Sequence, residues 1–574
     1  MLKYLKKYWF FCLLAPLFMV GEVAMDLLQP DLMAEIVDEG VLKSNMELII
    51  SVGIRMILTV AMGGLFGILC GVFANLAAQN FGNDLRKDLF RKIMGLSFQQ
   101  TDKISTGSLV TRLTNDVTQV QNMVQMAIRG FVRNTVMFVG GVYMLYRQSP
   151  KFALVAACGL PLVGITVTYF LKRTAPLFAK VQKKLDGINN IMQETVAGAR
   201  VVKAYVREDY ELGRFDDANR SLCEENLRVH RLLAFMGPCM NIVLNLCVVA
   251  VLMIGGYTAR AGGSITPGNT MAAITYLAQI LHGVMFMANI FQIFSRAKAS
   301  ADRINEVLNS EDIITDGEEK EIPDRKGSVE FRNVSFAYPG SEEHKVLENI
   351  SFRVEPGQTL AIIGATGSGK SSLVHLIPRF YEATGGEVLV DGVNVRDYSL
   401  RTLRDKVAIV LQKAELYSRS IAENIAWGKG DAEPWEIKEA AQIAQADTFI
   451  CGKAFGYHTP VTEGGHSLSG GQKQRISIAR AMLKDREILI FDDSTSALDL
   501  KTEADLYAAL EETYPDLTKI IIAQRIASVR NADRILVLEN GTIGAVGTHK
   551  ELLQTSELYR DIYNSQLKEG GEEG

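Results

Sequence analysis

The chain has 574 residues, of which 48% are apolar and 22% charged, and its net charge is −4. That balance excludes a disordered protein, which lacks apolar residues and carries more charge, and it leaves no basic footprint for wrapping nucleic acid. Seven scattered cysteines (Cys12, Cys70, Cys158, Cys223, Cys239, Cys247, Cys451) show no CxxC or Cys/His spacing, which argues against structural zinc and a disulfide scaffold.

The apolar residues are unevenly spread. Six stretches before residue 300, at roughly 8–29, 48–78, 128–147, 152–171, 232–258 and 270–294, reach the length of about 20 residues that a bilayer-spanning helix needs. The first follows Lys3, Lys6 and Lys7 but runs past signal-peptide length with no A-x-A-like cleavage site, so it reads as a retained span behind a basic interfacial elbow. Segments 79–127 and 172–231 carry 6 and 12 Lys/Arg residues, whereas the other connections hold only Lys43, Arg147, Lys151 and Arg260. Positive charge stays inside. The N-terminus, both long loops and the C-terminal half are therefore expected in the cytoplasm, in a cell membrane.

Both long loops are rich in helix formers with periodic apolar positions (Leu85, Leu89, Ile93, Leu96), so spans two to five are expected to continue as helices beyond the bilayer. Their tips fall near Phe98–Gly107 and Tyr205–Arg214; amphipathic surface helices are the alternative. Glu22, Asp26, Arg55 and His282 lie inside spans, where charge is costly and normally faces a cavity or a partner. Glu22, Asp26 and His282 are candidates for a cargo pathway. Equally, the two acids fit an outer interface or structural pairs with arginines. Met271, Met285 and Met287 offer an adaptable surface for cargo, although packing or lipid contact is the plainer role.

Residues 1–307 thus form the expected transmembrane domain, 308–327 a polar linker, 328–565 a soluble α/β domain, and 566–574 a flexible Gly/Glu-rich tail. In the soluble part, a strand-like run Val329–Phe336 precedes Tyr338. The buried strand Thr359–Ile363 leads into Gly364-Ala365-Thr366-Gly367-Ser368-Gly369-Lys370-Ser371, followed by Ser372 and helical sequence. This is GxxxxGK[ST] in its proper strand-to-helix setting. Glycines let backbone N–H groups surround phosphates, Lys370 would reach the β- and γ-phosphates of a nucleotide, and Ser371 would bind Mg2+. A second strand, Ile488–Phe491, ends in Asp492-Asp493, and Asp492 takes the Mg2+-holding role.

Between these motifs stands Leu468-Ser469-Gly470-Gly471-Gln472. LSGGQ resembles the signature of ATP-binding cassette (ABC) transporters, and six spans followed by one cassette resembles their half-exporters over essentially the whole chain. The resemblance implies an all-α six-span domain with long cytoplasmic extensions, joined to an α/β P-loop cassette. It further implies Tyr338 as the aromatic that stacks on adenine, Gln412 as the Q-loop glutamine and a Mg2+ neighbour, Glu463-Gly464-Gly465 as the loop before the signature, and Ser496-Ala497-Leu498-Asp499 as the D-loop. Two chains pair in that family, each ATP lying between one chain's phosphate loop and the other's signature. The loop tips become coupling helices.

Two positions depart from the family pattern. Asp493 stands where a Glu polarises the attacking water, and Gln524 stands where a switch histidine follows a strand. The shorter acid withdraws the carboxylate by roughly 1.5 Å, and misplacement by about 1 Å costs on the order of a hundredfold in rate. Glutamine lacks an imidazole's titrating nitrogen. The pair resembles the degenerate-site subunit of bacterial heterodimeric multidrug exporters. That implies a partner chain carrying the Glu and the His, and hydrophobic or amphipathic cargo. The alternatives are a homodimeric lipid or peptide exporter in which Asp493 is a slow base, and a regulatory subunit that binds ATP without transport.

Overall fold

The computed structural model describes residues 1–260, 265–311, 314–317, 326–338, 340–341 and 344–571. Two compact units divide the chain: Met1–Met94 with Thr106–Ser310, and Gly95–Ser105 with Glu311–Gly574.

The first unit is helical. Its elements are α1 (Leu2–Lys7), α2 (Trp9–Glu35) and α3 (Met46–Met94), then, beyond α4 (Phe98–Lys103) of the second unit, α5 (Thr106–Thr111), α6 (Val117–Met126), α7 (Val132–Gln148), α8 (Pro150–Ala197), α9 (Ala199–Ala204), α10 (Glu208–Arg260) and α11 (Pro267–Leu308). The expected elbow is present. Tyr8 breaks the chain between α1 and α2, and Lys7 Nζ and Tyr8 Oη each donate to Asp84 Oδ2 at 2.8 Å. Helices α3, α8 and α10 have 49, 48 and 53 residues. At about 1.5 Å per residue each is roughly twice as long as a bilayer core of about 30 Å requires.

Among the described residues four helices, at Trp9–Val41, Met46–Met94, Pro150–Ala197 and Glu208–Arg260, are long and apolar enough to cross a membrane. The third and sixth predicted stretches also fall on helices, within 127–148 and on α11. The third is more polar because it carries Arg129, Arg133 and Arg147. Between α6 and α7 the helix widens into a π-turn at Ala127–Phe131. Met19, Val23, Phe152, Val163 and Tyr276 belong to the apolar core that α2, α8 and α11 share.

The second unit is built on two sheets. Strands β1 (Val329–Phe336), β2 (Leu347–Val354), β4 (Gly385–Val390) and β5 (Val393–Asn394) form an antiparallel sheet in the order β2-β1-β4-β5. The other sheet runs β10-β9-β3-β8-β7-β6, from β3 (Thr359–Gly364), β6 (Val407–Val410), β7 (Ile488–Asp492), β8 (Thr518–Ile522), β9 (Arg534–Glu539) and β10 (Thr542–Gly547). It is parallel except for the β9–β10 edge. Runs such as Ile488–Phe491 and Ile520–Ile522 are apolar without alternation because both faces of the strand are buried. Strands β3, β7 and β8 are neighbours at the centre, so their C-terminal ends converge, where open α/β sheets bind ligands.

Three sequence expectations shift. The linker is shorter than 308–327: α11 runs to Leu308, and residues 315–317 dock on the cassette through Arg379 Nη1 to Thr315 O at 2.9 Å, Leu400 N to Asp316 Oδ1 at 2.7 Å and Gly317 N to Tyr398 O at 3.0 Å. Residues 312–313 and 318–325 lie outside the described ones. The tail is helical well past 565. The last helix spans Glu557–Gly571, and Gln566 is held by two hydrogen bonds to the cassette; 572–574 are outside the described residues. The second loop tip sits earlier than expected, with α9 at Ala199–Ala204 and α10 already begun at Glu208, because Val206 adopts φ +51° and turns the chain there.

The first tip falls as expected on α4, which is capped by a Ser97/Gln100 capping box. Its Phe98 ring stacks on Phe380 at 4.4 Å, Asp102 accepts from Tyr381 Oη at 2.6 Å, and Gln100 Nε2 donates to Glu311 O at 2.9 Å.

Candidate functional site

Strand β3 delivers Gly364 to a loop that turns into the helix Lys370–His375. Gly367 and Gly369 have φ of +83° and +98°, a region that side chains resist. At Gly364 a Cβ would meet Leu538 O at 2.2 Å. Lys370 Nζ curls over its own loop, donating to Gly364 O at 2.9 Å and Ala365 O at 2.8 Å, and burial lowers its pKa. Ser368 Oγ is buried without a hydrogen-bond partner among the described residues, and Thr366 lies exposed at the crown of the loop. Tyr338 Oη shares a hydrogen bond of 2.9 Å with Ser372 Oγ, which sets the tyrosine against the first turn of that helix.

Ser371 Oγ donates to Asp492 Oδ1 at 2.6 Å, so the end of β7 closes on the phosphate loop. Beside it, Asp493 adopts φ +46° and its N–H donates to Ile522 O at 3.1 Å. One oxygen of Asp493, Oδ2, accepts from Gln524 Nε2 at 2.7 Å and from Gln412 Nε2 at 3.2 Å. Burial raises the Asp493 carboxyl, helped by the neighbouring Asp492, against the lowering effect of the two amides and Lys370. Five predicted residues, Ser371, Gln412, Asp492, Asp493 and Gln524, thus meet in one place.

A sixth went unread in the sequence. His375 Nε2 stands 3.1 Å from Asp492 Oδ2. The signal was its spacing: His375 follows Ser371 by four residues and shares its helix face.

The signature residues form a second group. Ser469 caps the helix Gly470–Leu483 in a capping box with Gln472, leaving Ser469 and Gly470 exposed at a helix N-terminus while Leu468 is buried. Such an end favours an anion. Gly471 permits close approach to the D-loop, since a Cβ there would sit 2.9 Å from Ala497 O. Gln474 Oε1 accepts from Ala497 N at 3.2 Å, Arg525 Nη1 donates to Leu498 O at 3.1 Å, and Ser496 Oγ donates to Asp493 O at 3.0 Å. Asp499 caps the next helix by accepting from Thr502 N at 2.9 Å. The D-loop therefore bridges the signature helix and Asp493.

These residues fit a nucleoside triphosphate with Mg2+. The glycine-turned loop, the Ser368 hydroxyl with no partner among the described residues, and Lys370 held by two loop carbonyls form a cradle that suits phosphate oxygens. Among the described residues no cluster of three or more His, Cys, Asp or Glu could hold a metal unaided. One carboxylate and one hydroxyl match Mg2+, which takes its remaining ligands from phosphate and water.

Residues 347–496 match the family described as ABC transporter, and residues 12–284 match the ABC transporter transmembrane region. The chain belongs to the ABC transporter family. It is 41% identical over 576 residues to the uncharacterized ABC transporter ATP-binding protein YfiB of Bacillus subtilis (strain 168), covering 100% of this chain and 99% of that one. It is 36% identical to the putative multidrug export ATP-binding/permease protein YgaD of the same organism, over 86% of this chain and 85% of that protein. The ATP-dependent lipid A-core flippase of Syntrophus aciditrophicus (strain SB) is 33% identical, over 93% and 88%. The fold is that of a bacterial Atm1-family ABC exporter solved with ATP bound, with a TM-score of 0.82 at 24% identity, over 96% of this chain and 98% of that one. This ABC half-exporter binds ATP through its cassette.

The intramembrane candidates fare differently. Glu22 and Asp26 both pair with Arg133, the latter at 2.8 Å, which is the arginine pairing that the sequence offered beside a cargo pathway. Arg55 pairs with Glu35 on α2. His282 hydrogen-bonds Ala278 O at 2.8 Å through Nδ1 and lines a cavity with Arg129 and Arg133, neither of which the sequence reading had singled out. The side chains of Met285 and Met287 lie outside the described ones, and Met271 is exposed.

Proposed function

We propose that this chain is one subunit of a heterodimeric exporter in the cell membrane that uses ATP to move hydrophobic or amphipathic compounds outward, and that its own ATP site is the degenerate one. The observation that carries this reading is the state of Asp493. A carboxylate one methylene short is already engaged by two amides, Gln524 and Gln412, and neither amide can accept a proton.

In this reading Tyr338 stacks on adenine, the 364–372 loop cradles phosphates, and Ser371, Gln412 and Asp492 hold Mg2+, which supplies charge neutralisation on the phosphate oxygens. The exposed Ser469–Gln472 helix end faces the partner's ATP and completes the site that turns over, while the partner carries the missing Glu and His. ATP held at the slow site keeps the cassettes associated and biases the exporter's conformational equilibrium. Loop charge supports a cytoplasmic N-terminus and cassette. The relative named for multidrug export supports the cargo class.

The test is ATPase activity of this chain purified alone, and then with the neighbouring cassette chain that carries the Glu and His. Near-zero activity alone, restored by the partner and abolished by Glu→Gln in the partner, is the expected result. Robust turnover by the isolated chain, sensitive to Asp493→Asn, would sink the heterodimer and make Asp493 a working base in a homodimer.

A further inference from the structure

The transmembrane unit holds a cavity of about 780 Å³, within the range of small-molecule sites. It is lined from the helical stretch 119–137 on one side and from α11 on the other. Among its described lining residues are two arginines, Arg129 and Arg133, and no aspartate or glutamate. The arginines are not equivalent. Arg133 is neutralised by Glu22 and Asp26, which lie outside the cavity lining. Arg129 is exposed and makes no hydrogen bond or ion pair among the described residues. Arg129 lies near the edge of the third predicted span, 128–147. Inside a span an unpaired arginine costs a few kcal/mol, about 2.5–3.5 at the helix centre on insertion scales, so such a residue normally meets a partner or a polar cavity.

Local backbone points the same way. Arg129 sits in the π-turn Ala127–Phe131, a widening that recurs at functional sites and re-aims side chains. Next to it, Gly130 lets Phe286 and Met126 close in: a Cβ there would meet Met126 Sδ at 3.2 Å and Phe286 Cε1 at 3.3 Å. An apolar wall therefore adjoins a bare guanidinium. Across the cavity, Gln279 and His282 add polar groups on α11, and Gln279 Oε1 is buried without a hydrogen-bond partner among the described residues.

We propose that this cavity receives an anionic amphiphile, with Arg129 gripping its phosphate or carboxylate headgroup while Met126 and Phe286 contact its apolar body. A planar guanidinium binds such oxyanions bidentately, and Gln279 and His282 complete the polar end. The proposal names a cargo class for the exporter described above and rests on that reading. It narrows the hydrophobic or amphipathic cargo class to anions, since Glu22 and Asp26, the acids that a cationic cargo would use, both pair with Arg133.

The experiment uses the purified full-length chain in maltoside micelles without nucleotide, so that a failure of the ATPase assignments leaves it unaffected. A fluorescent dodecanoate serves as probe, with dodecyl phosphate, dodecyltrimethylammonium and inorganic phosphate as competitors. Saturable binding is expected, with dodecyl phosphate displacing the probe at a concentration at least tenfold lower than dodecyltrimethylammonium. Arg129→Gln should weaken binding at least tenfold and Arg129→Lys by less than that; Phe286→Ala should weaken dodecyl phosphate but not the preference for an anion. Arg129 has no hydrogen-bond or ion-pair partner among the described residues to lose, so these variants should keep the native melting curve and elution volume, which are checked in parallel. Absence of saturable binding, unchanged affinity in Arg129→Gln, or equal displacement by the cationic amphiphile overturns the proposal. Inorganic phosphate competing as well as dodecyl phosphate overturns the amphiphile and leaves a free-anion site.

Discussion

Gln524 Nε2 donates to Asp493 Oδ2 across 2.7 Å, so the two residues that depart from the family pattern are bonded to each other. The departures are therefore one local arrangement: the glutamine replaces a titratable ring and at the same time pins the shortened acid. Groups in direct contact give non-additive effects. Asp493→Glu and Gln524→His are each expected to change the ATPase rate of the isolated chain by less than about threefold, and the double variant to raise it by about tenfold or more. Strictly additive effects in this cycle would show that the pair does not act as a unit.

Asp493 also makes stability depend on pH. Burial raises its carboxyl, so the folded cassette holds that proton more tightly than the unfolded chain does. The contribution is fully present below the unfolded value of about 3.9 and is lost as pH rises through the raised folded value. At neutral pH a buried carboxylate is carried at a cost that Asp493→Asn removes while keeping an acceptor for both amides. The variant is expected to melt about 2 °C higher near neutral pH. That difference should shrink on acidification, as read by thermal denaturation across a pH series. A gap that widens toward acid pH contradicts the assignment.

The last helix reaches back to the same loop. Gln566 Oε1 accepts from Ile526 N at 2.8 Å and Gln566 Nε2 donates to Gln524 O at 2.7 Å, so one side chain clamps both sides of Arg525. In Gln566→Ala the Ile526 N–H loses its partner, which costs about 1–3 kcal/mol when such a donor is buried. Hydrogen exchange should accelerate at least tenfold in peptides covering 523–530 and stay unchanged in β3. Protection equal to that of the native chain would mean the clamp is idle.

Legibility tracked contiguity. The phosphate loop, β7 with its two acids, and the signature are each contained in a short run, because their geometry is set by a strand, a turn and a helix N-terminus, all local in sequence. Gln524 was legible for the same reason, lying just after the apolar strand Ile520–Ile522. What sequence withheld depends on packing. Arg133 meets Glu22 and Asp26 across 111 and 107 positions, and nothing in the local pattern marks that pairing. Arg129 escaped notice because it falls at the edge of a predicted span, where a basic residue ordinarily reads as an interfacial anchor. Gln566 sits in a polar stretch whose composition resembles a loose end; only the loop it touches gives it a role.

The stacked pair Phe98 and Phe380, with Asp102 accepting from Tyr381, fixes α4 on the cassette. Aromatic pairs of this kind contribute about 0.5–1.5 kcal/mol beyond area burial, enough to weaken a mechanical link without unfolding either side. Phe98→Ala in the reconstituted transporter is expected to cut ATP-driven transport about tenfold while ATP binding stays within twofold. Tyr381→Phe, which loses only the hydroxyl, should have the smaller effect. Equal losses of transport and ATP binding would instead indicate damage to the cassette.

Arg133 pairs with two acids on α2 at once, meeting Glu22 through Oε1, while Glu22 Oε2 is buried with no hydrogen-bond partner among the described residues. Removing the guanidinium leaves two carboxylates unpaired in a helical bundle, a change that costs up to about 2.5–3.5 kcal/mol per charge on insertion scales and more where the site stays dry. Arg133→Met is expected to lower the melting temperature in detergent and the yield of folded protein. Adding Glu22→Gln and Asp26→Asn to the same chain should restore most of the loss, because the triple variant carries no stranded charge and neutral amides can hydrogen-bond locally. If the acids instead served cationic cargo, the triple variant would fold well but lose affinity for dodecyltrimethylammonium. Measuring melting and that affinity on the same three samples separates an ion pair that holds two helices together from a pair of acids held ready for a ligand.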